Sequence, residues 1–288
     1  MTAGAPPRRR DFVGHGGIRL AADVWGEGSS PPLVLLHGGG QTRHAWDRTG
    51  PRLAALGWRA IAPDLRGHGT SAWSADGDYA LDLFAEDVRA ITAQLGSRPV
   101  LIGASLGGLA SLLAAGEAPH AAIRALVLVD VAHRPDPRGF RRIVAFMRGH
   151  PDGFADVGEA AAAVSAHLPR RPRPSDPEGL RTNLRRRGDR WVWHWDPRML
   201  DCFEGRMDPP GMAERLLGAA RHADVPILLV RGGVSDVVRE DVAEQFCARV
   251  PRARRIDVLD AGHMVAGDRN DHFLDAIVPF LESLETAE

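Results

Sequence analysis

Short apolar runs alternate with longer amphipathic stretches along most of the chain. The runs at 33–36, 60–62, 100–102, 125–131 and 225–230 lack the alternation of apolar and polar residues that marks a strand with one face in water. They therefore predict strands buried on both faces of a parallel sheet. Between them, residues 81–95 carry apolar side chains at spacings of three and four, which is typical of an amphipathic helix. This order of strands and helices predicts an α/β fold with a mostly parallel sheet.

Both ends of the chain fit the same sheet. Phe12 and residues 18–25 flank a glycine-rich turn and predict an antiparallel hairpin at its edge. Beyond residue 222, a strand at 225–230, a helix at 239–250, a strand at 255–259 and a helix at about 270–284 continue the alternation. We therefore expect a core formed by residues 1–133 and 223–288.

The pattern changes between residues 134 and 222. An alanine-rich helix is predicted at 157–168, a proline- and arginine-rich stretch follows at 169–177, and no further strand is predicted before 223. A tryptophan cluster, Trp191, Trp193 and Trp195, either lines a pocket or fixes this segment to the core. We predict that residues 134–222 form a helical cap over the sheet, where substrate choice would reside.

Composition excludes several classes of protein. The 288 residues carry a net charge of −1, and all 36 basic residues are arginine. Without lysine, no Walker lysine, Schiff base or pyridoxal phosphate anchor is possible. The balanced charge argues against a nucleic-acid partner, and the absence of long apolar runs argues against a membrane span. Two cysteines and no visible export signal favour a soluble, cytoplasmic protein, whose partner we expect to be a small-molecule substrate.

The strongest local signal is the segment Gly103-Ala104-Ser105-Leu106-Gly107-Gly108, which lies between a predicted strand and a predicted helix. A sharp strand-to-helix turn with small neighbours exposes the hydroxyl of Ser105, and the N–H of Leu106 faces the position where negative charge would develop. The alternative is an ordinary glycine-rich turn whose serine has no function. The strand before and the helix after favour a nucleophile.

A second signal is His37-Gly38-Gly39-Gly40, which follows the strand at 33–36. Consecutive glycines can present a backbone N–H to a ligand without obstruction, as the second donor of an oxyanion hole requires. The alternative is a flexible loop. His44 and Trp46 follow this loop and are candidates for the pocket.

A nucleophilic serine needs a base and an orienting carboxylate. His263, in a turn after the last strand, is the candidate base, and no histidine pattern indicates a metal. Two carboxylates compete. Asp236 follows its strand in a glycine-containing loop that can bend back toward a histidine. Asp130, by contrast, lies within an apolar run that leads into the cap. We therefore expect Asp236 to be the acid and Asp130 to line the pocket.

These residues resemble the α/β-hydrolase family over nearly the whole chain. The matching pieces are HGGG at 37–40, DLRGHG at 64–69, GASLGG at 103–108, GGVSD at 232–236 and GHMV at 262–265. The resemblance implies an eight-stranded sheet with its second strand antiparallel, a cap inserted after the sixth strand, and no cofactor. It also implies Ser105 as nucleophile, His263 as base, Asp236 as acid, and the N–H groups of Leu106 and of Gly39 or Gly40 as the oxyanion hole.

The expected reaction is hydrolysis of a carboxylic ester or lactone with a small to medium hydrophobic group. Serine at the turn argues against the epoxide hydrolases and dehalogenases of the family, which carry aspartate there. A haloperoxidase or perhydrolase, a carbon–carbon bond hydrolase and a hydrolase-like receptor remain alternatives, as do the monomer and the homodimer. The expected pocket residues are His37, His44, Trp46, Asp130, Phe146, Trp193, Trp195 and Met264.

Overall fold

The computed structural model describes residues 6–28, 30–117, 123–168, 177–206 and 211–285. Its strands are β1 (Arg8–Val13), β2 (Arg19–Trp25), β3 (Leu33–Leu36), β4 (Ala60–Pro63), β5 (Val100–Ala104), β6 (Ala125–Val129), β7 (Leu184–Arg187), β8 (Arg190–Trp193), β9 (Ile227–Gly232) and β10 (Ala253–Val258). Eight of them form one sheet in the order β1-β2-β4-β3-β5-β6-β9-β10. Strand β2 is antiparallel to both of its neighbours, and the pairs from β4 to β10 are parallel. The predicted fold class is confirmed.

Helices connect the strands. They are α1 (Gly50–Ala55), α2 (Leu81–Ala93), α3 (Leu106–Gly116), α4 (Pro137–Arg148), α5 (Val157–His167), α6 (Arg198–Arg206), α7 (Met212–His222), α8 (Glu240–Arg249), α9 (Val265–Asp268) and α10 (Asn270–Glu285). Short 3₁₀ turns occupy His15–Gly17, Arg43–Trp46 and Pro177–Asn183. No helix in these described ranges is long and apolar enough to cross a membrane.

Strand β3 shows why the apolar runs do not alternate with polar residues. Val34 and Leu36 pack into one hydrophobic cluster, while Leu33 and Leu35 pack into a second cluster. All four side chains are at most 1% exposed. Because successive side chains of a strand point to opposite faces, both faces of this central strand are covered. Burial of each such side chain contributes roughly 1.5–3 kcal/mol to the free energy of unfolding.

The segment 134–222, hereafter the inserted segment, lies between the sheet strands β6 and β9 and contains helices α4 to α7. It also contains the antiparallel hairpin of β7 and β8, so the expectation that strands would be absent here is wrong. Leu184 and Trp193 pair across the hairpin and are both buried, and a turn with Gly188 at φ +65° joins the strands. The arginines at 185–187 are all exposed, so this strand lacks the alternation of apolar and polar residues by which a strand is predicted from sequence. Most of the proline- and arginine-rich stretch, residues 169–176, lies outside the described residues.

Candidate active site

Ser105 occupies a strained turn between β5 and α3. Its backbone angles are φ 46° and ψ −114°, in a region that residues other than glycine rarely adopt. Glycines make this turn possible: a Cβ on Gly103 would lie 2.6 Å from the backbone of Gly107, and one on Gly107 would lie 2.6 Å from the carbonyl oxygen of Leu36. The strand, turn and helix predicted from the sequence are therefore present.

The glycine loop lies beside this turn. A Cβ on Gly38 would be 3.4 Å from the Cβ of Ser105. Within the loop, the N–H of Gly38 donates to Oε1 of Gln41 (2.8 Å), and the N–H of Gly40 donates to Nε2 of His68 (3.1 Å). By contrast, the N–H of Gly39 has no acceptor among the described residues.

The N–H of Leu106, the other predicted donor, likewise has no acceptor in the described ranges. It opens helix α3, where backbone donors face outward and the helix dipole favours negative charge. Gly39 and Leu106 are thus the two predicted oxyanion donors whose N–H groups remain available. Gly40 as a donor is wrong, because His68 already accepts its N–H.

His263 contacts Asp130. The distance between His263 Nδ1 and Asp130 Oδ2 is 2.7 Å, and the carboxylate is completely buried. Its second oxygen accepts the N–H of Gly232 (2.9 Å), and the hydroxyl of Ser235 donates to Oδ2. These donors compensate the desolvation of the charge. Asp130 is therefore a fixed hydrogen-bond acceptor directly behind the imidazole.

Asp236, the expected partner of His263, lies elsewhere: it forms an ion pair with Arg142 of α4, and its side chain is 39% exposed. The prediction that Asp236 orients His263 is wrong. The backbone conformation at the end of β6 explains why Asp130 contacts His263 instead. The strand stops at Val129, and Asp130 takes φ +47°, which turns its side chain out of the apolar run. Both candidate carboxylates follow the carboxyl end of a parallel strand, so this position alone did not separate Asp130 from Asp236.

The three polar groups converge on one edge of the sheet. Ser105 and Asp130 directly follow the paired parallel strands β5 and β6, and the loop after β10 brings His263 onto Asp130. No hydrogen bond joins the Ser105 hydroxyl to His263 within the described part of the chain. Such bonds are often long without substrate and shorten in the substrate complex. The sulfur of Met264, next to His263, lies 2.9 Å from Gln41 Nε2, so this expected pocket residue lies against the glycine loop.

Three expected pocket residues have other roles. Trp46 is 1% exposed and packs against Phe273 at a ring distance of 6.0 Å, so it belongs to the core. His37 is fully buried, with Nδ1 donating to the carbonyl of Gly38 and Nε2 accepting the N–H of Leu65. His44 pairs with Asp47, which raises the pKa of the imidazole.

Side chains of the inserted segment cover the glycine loop. A Cβ on Gly40 would lie 3.0 Å from Met147 Cε and 3.4 Å from Trp195 Cζ3. Trp195 stacks on Trp193 at 5.0 Å, and Phe146 packs against Trp193 at 5.5 Å. Trp195, with Trp193 and Phe146 packed behind it, therefore holds the inserted segment against the glycine loop of the core.

Three buried histidines surround the same loop. Burial lowers the pKa of His68 to about 3, with a smaller contribution from His37. Burial also lowers the pKa of His37, and it lowers the pKa of His194 well below the usual value. Each imidazole is therefore neutral in the folded protein and accepts one backbone N–H. His37 accepts that of Leu65, His68 that of Gly40, and His194 that of Gly69. His68 and His194 were not predicted from the sequence.

We expect the free energy of unfolding to decrease as the pH falls from about 6.5 toward 3. The unfolded histidines bind protons below about pH 6.5, while His68 and His194 stay neutral in the folded state, which gives about 1.4 kcal/mol per pH unit for each of these two. Urea unfolding of the wild type and of His194→Gln at pH 7, 5.5 and 4.5 measures this slope. The variant should show the smaller slope, and the exposed His222→Gln should match the wild type; equal slopes in all three proteins would contradict the expectation.

One group of side chains has metal-like spacing. Ligand atoms of Asp23, His44 and Asp47 lie within 4.8 Å of one another among the described residues. The carboxylate of Asp23 is already engaged by Arg43 (3.0 Å) and Arg9 (3.0 Å). Because two guanidinium groups neutralise this carboxylate and repel a cation, we assign no metal to the group.

Comparison with known proteins agrees with this geometry. The family model of the alpha/beta hydrolase fold matches residues 31–269. The chain is 32% identical to the esterase Rv0045c of Mycobacterium tuberculosis over 274 residues, which cover 92% of this chain and 87% of that protein. It is 29% identical to a 3-hydroxybutyrate-oligomer hydrolase of Cupriavidus necator, covering 85% and 87% of the two chains. A crystal structure of an alpha/beta hydrolase from Novosphingobium aromaticivorans superposes with a TM-score of 0.81, at 28% identity, and covers 96% of this chain and 99% of that one.

The chain belongs to the α/β-hydrolase family. It is an enzyme of the hydrolase class, and its relatives support ester hydrolysis as the type of reaction.

Proposed function

We propose that the protein is a serine ester hydrolase that uses Ser105, His263 and Asp130. The observation that carries this proposal is the contact of 2.7 Å between His263 and the buried carboxylate of Asp130, at the edge of the sheet where Ser105 occupies its strained turn. An ionised carboxylate on Nδ1 of an imidazole leaves Nε2 free to accept a proton. Asp130 accordingly replaces Asp236 as the acid of the triad.

The proposed reaction has two halves. His263 Nε2 removes the proton from the Ser105 hydroxyl while the serine oxygen attacks the carbonyl carbon of the ester. The tetrahedral intermediate carries its negative charge toward the N–H groups of Gly39 and Leu106, and it collapses to an acyl-enzyme as the imidazolium protonates the departing alcohol. Water then attacks the acyl-enzyme with the same base, which releases the acid and restores Ser105.

The surroundings favour a small to medium hydrophobic acyl group, in an ester or a lactone. Met147 and Trp195, both 4% exposed, contact the glycine loop and limit the space above it. These two side chains offer apolar contact and no charge to a substrate. We also propose that residues 134–222 act as the cap that shapes this pocket.

A fluorophosphonate probe tests the proposed function. We expect one covalent adduct per chain, on Ser105, and a loss of p-nitrophenyl ester hydrolysis in proportion to labelling, because only an activated serine displaces the fluoride readily. Mass spectrometry of the digested protein locates the adduct.

Ser97→Ala, which removes an exposed hydroxyl, is the matched control and should label like the wild type. An adduct on another residue, or ester hydrolysis that survives complete labelling, would contradict the proposal.

A further inference from the structure

The proposed oxyanion donor Gly39 lies in a loop with little conformational restraint of its own. Three consecutive glycines can adopt many backbone conformations, so the direction of one N–H is fixed only if other groups hold the neighbouring peptides. The N–H of Gln41 donates to the carbonyl of Gly38 (3.1 Å), and Gly40 has φ +73°, as a turn with glycine at its third position allows. This turn determines where the N–H of Gly39 points.

Two imidazoles hold Gly40, one at its N–H and the other at its carbonyl oxygen. Nε2 of His68 accepts its N–H, and Nε2 of His194 lies 3.3 Å from its carbonyl oxygen. His68 belongs to the core, in the loop after β4, whereas His194 directly follows β8 of the inserted segment. Both peptide groups of Gly40 are thus bound to side chains far away in the sequence.

The hydrogen bonds define the protonation of both rings. The N–H of Gly69 donates to Nδ1 of His194 (2.7 Å), so a neutral His194 carries its proton on Nε2 and donates it to Gly40. His68 has the opposite tautomer, because its Nδ1 lies 2.9 Å from the carbonyl of Arg66 and its Nε2 accepts. Both side chains are at most 2% exposed.

Two hydrogen bonds hold the segment around His194 against the core. The N–H of Asp196 donates to the carbonyl of Gly67 (2.9 Å), and the hydroxyl of Tyr79 donates to Oδ2 of Asp196 (2.7 Å). His194 therefore has a fixed position from which it can orient the loop.

We propose that His194 is a positioning residue of the inserted segment that holds the Gly38–Gln41 turn in the conformation that directs the Gly39 N–H to the oxyanion. The inference rests on the proposed function and adds a residue that does not touch the reacting atoms. It makes the inserted segment part of the catalytic apparatus as well as the wall of the pocket. Loss of the His194 contact should lower kcat and leave KM nearly unchanged, because the oxyanion forms only after the substrate has bound.

Two amide substitutions separate this role from a structural one. In His194→Gln, the amide nitrogen can reach the position of Nε2 and donate to Gly40. In His194→Asn, the amide oxygen can replace Nδ1 toward Gly69 but the side chain is too short for Gly40. Each variant loses one hydrogen bond, so their unfolding temperatures should be lowered to a similar extent.

The kinetics of p-nitrophenyl ester hydrolysis decide the question. We expect His194→Asn to lower kcat by about 10- to 100-fold with KM within about twofold, less than the 10²–10³ for complete loss of an oxyanion donor. His194→Gln should stay within about threefold of the wild-type kcat. Equal losses in both variants, or kcat near wild type in both, would overturn the proposal, while the wild-type hydrolysis and the labelling of Ser105 would still support the proposed function. A wild type without either activity would reject the function itself.

A second measurement does not depend on the variants folding. In the ¹⁵N spectrum of histidine-labelled wild-type protein, His194 should be protonated on Nε2 and His68 on Nδ1. A proton on Nδ1 of His194 would overturn the proposal, because Nε2 could then not donate to Gly40.

Discussion

Ser105→Ala and His263→Ala are each expected to lower kcat for ester hydrolysis by ~10⁶, because the members of a catalytic triad act as a unit. In the proposed triad, Ser105 supplies the nucleophilic oxygen and His263 is the base that activates it. Neither substitution should unfold the protein, since alanine can occupy the turn as serine does and His263 is only partly buried. Steady-state hydrolysis of a p-nitrophenyl ester, with circular dichroism of each variant, measures both effects.

The controls for this experiment are exposed residues of the same type. Ser97→Ala and His272→Ala change a hydroxyl and an imidazole that are exposed to solvent. Both should keep wild-type rates. If folded Ser105→Ala or His263→Ala retained more than about a tenth of the rate, its place in the triad would be wrong, because a triad residue acts as part of a unit.

Asp130→Asn should lower kcat by ~10⁴ with little change in KM, as the equivalent change does in another serine hydrolase. The carbonyl of the new asparagine can still accept the N–H of Gly232. Its NH₂ group then faces His263, donates to Nδ1 and drives the ring proton to Nε2. That nitrogen can then no longer accept the proton of Ser105.

Asp236→Asn is the matched comparison. This carboxylate forms a partly exposed ion pair with Arg142, a type of contact that contributes about 0–1 kcal/mol to stability. We expect a rate within about twofold of the wild type, because the side chain does not contact His263. If Asp236→Asn lost most of its activity while Asp130→Asn kept it, Asp236 would be the acid, as the sequence suggested.

The local sequence was sufficient for most of the sheet. Residues 33–36 were predicted as a strand with the bounds that the structure shows, and helix α2 begins at Leu81 as expected. Runs that are apolar on both faces have few alternatives to a central parallel strand. The turn at Ser105 was predictable for a related reason, since small residues between a strand and a helix permit a close approach that larger ones prevent.

The hairpin of β7 and β8 was not predictable from its pattern. Arg185 to Arg187 lie on exposed positions, so one strand shows no alternation of apolar and polar residues. The pairing of Leu184 with Trp193 stabilises it, and this contact depends on how the inserted segment packs on the core. The local sequence does not specify how the inserted segment packs on the core.

The sequence by itself determined the order of the strands along the chain in the eight-stranded sheet, the strained turn at Ser105 and the glycine loop, because each depends on residues that are neighbours in the chain. Only the tertiary structure decided which carboxylate meets His263, since one backbone angle at Asp130 and the donors Gly232, at the end of β9, and Ser235, in the loop after it, place it there. The same holds for the imidazole of His194, which reaches Gly40 across 154 positions of the chain. Contacts between distant segments follow from the packing of the whole fold. The chemistry of the two side chains in such a contact does not show from the sequence that they will meet.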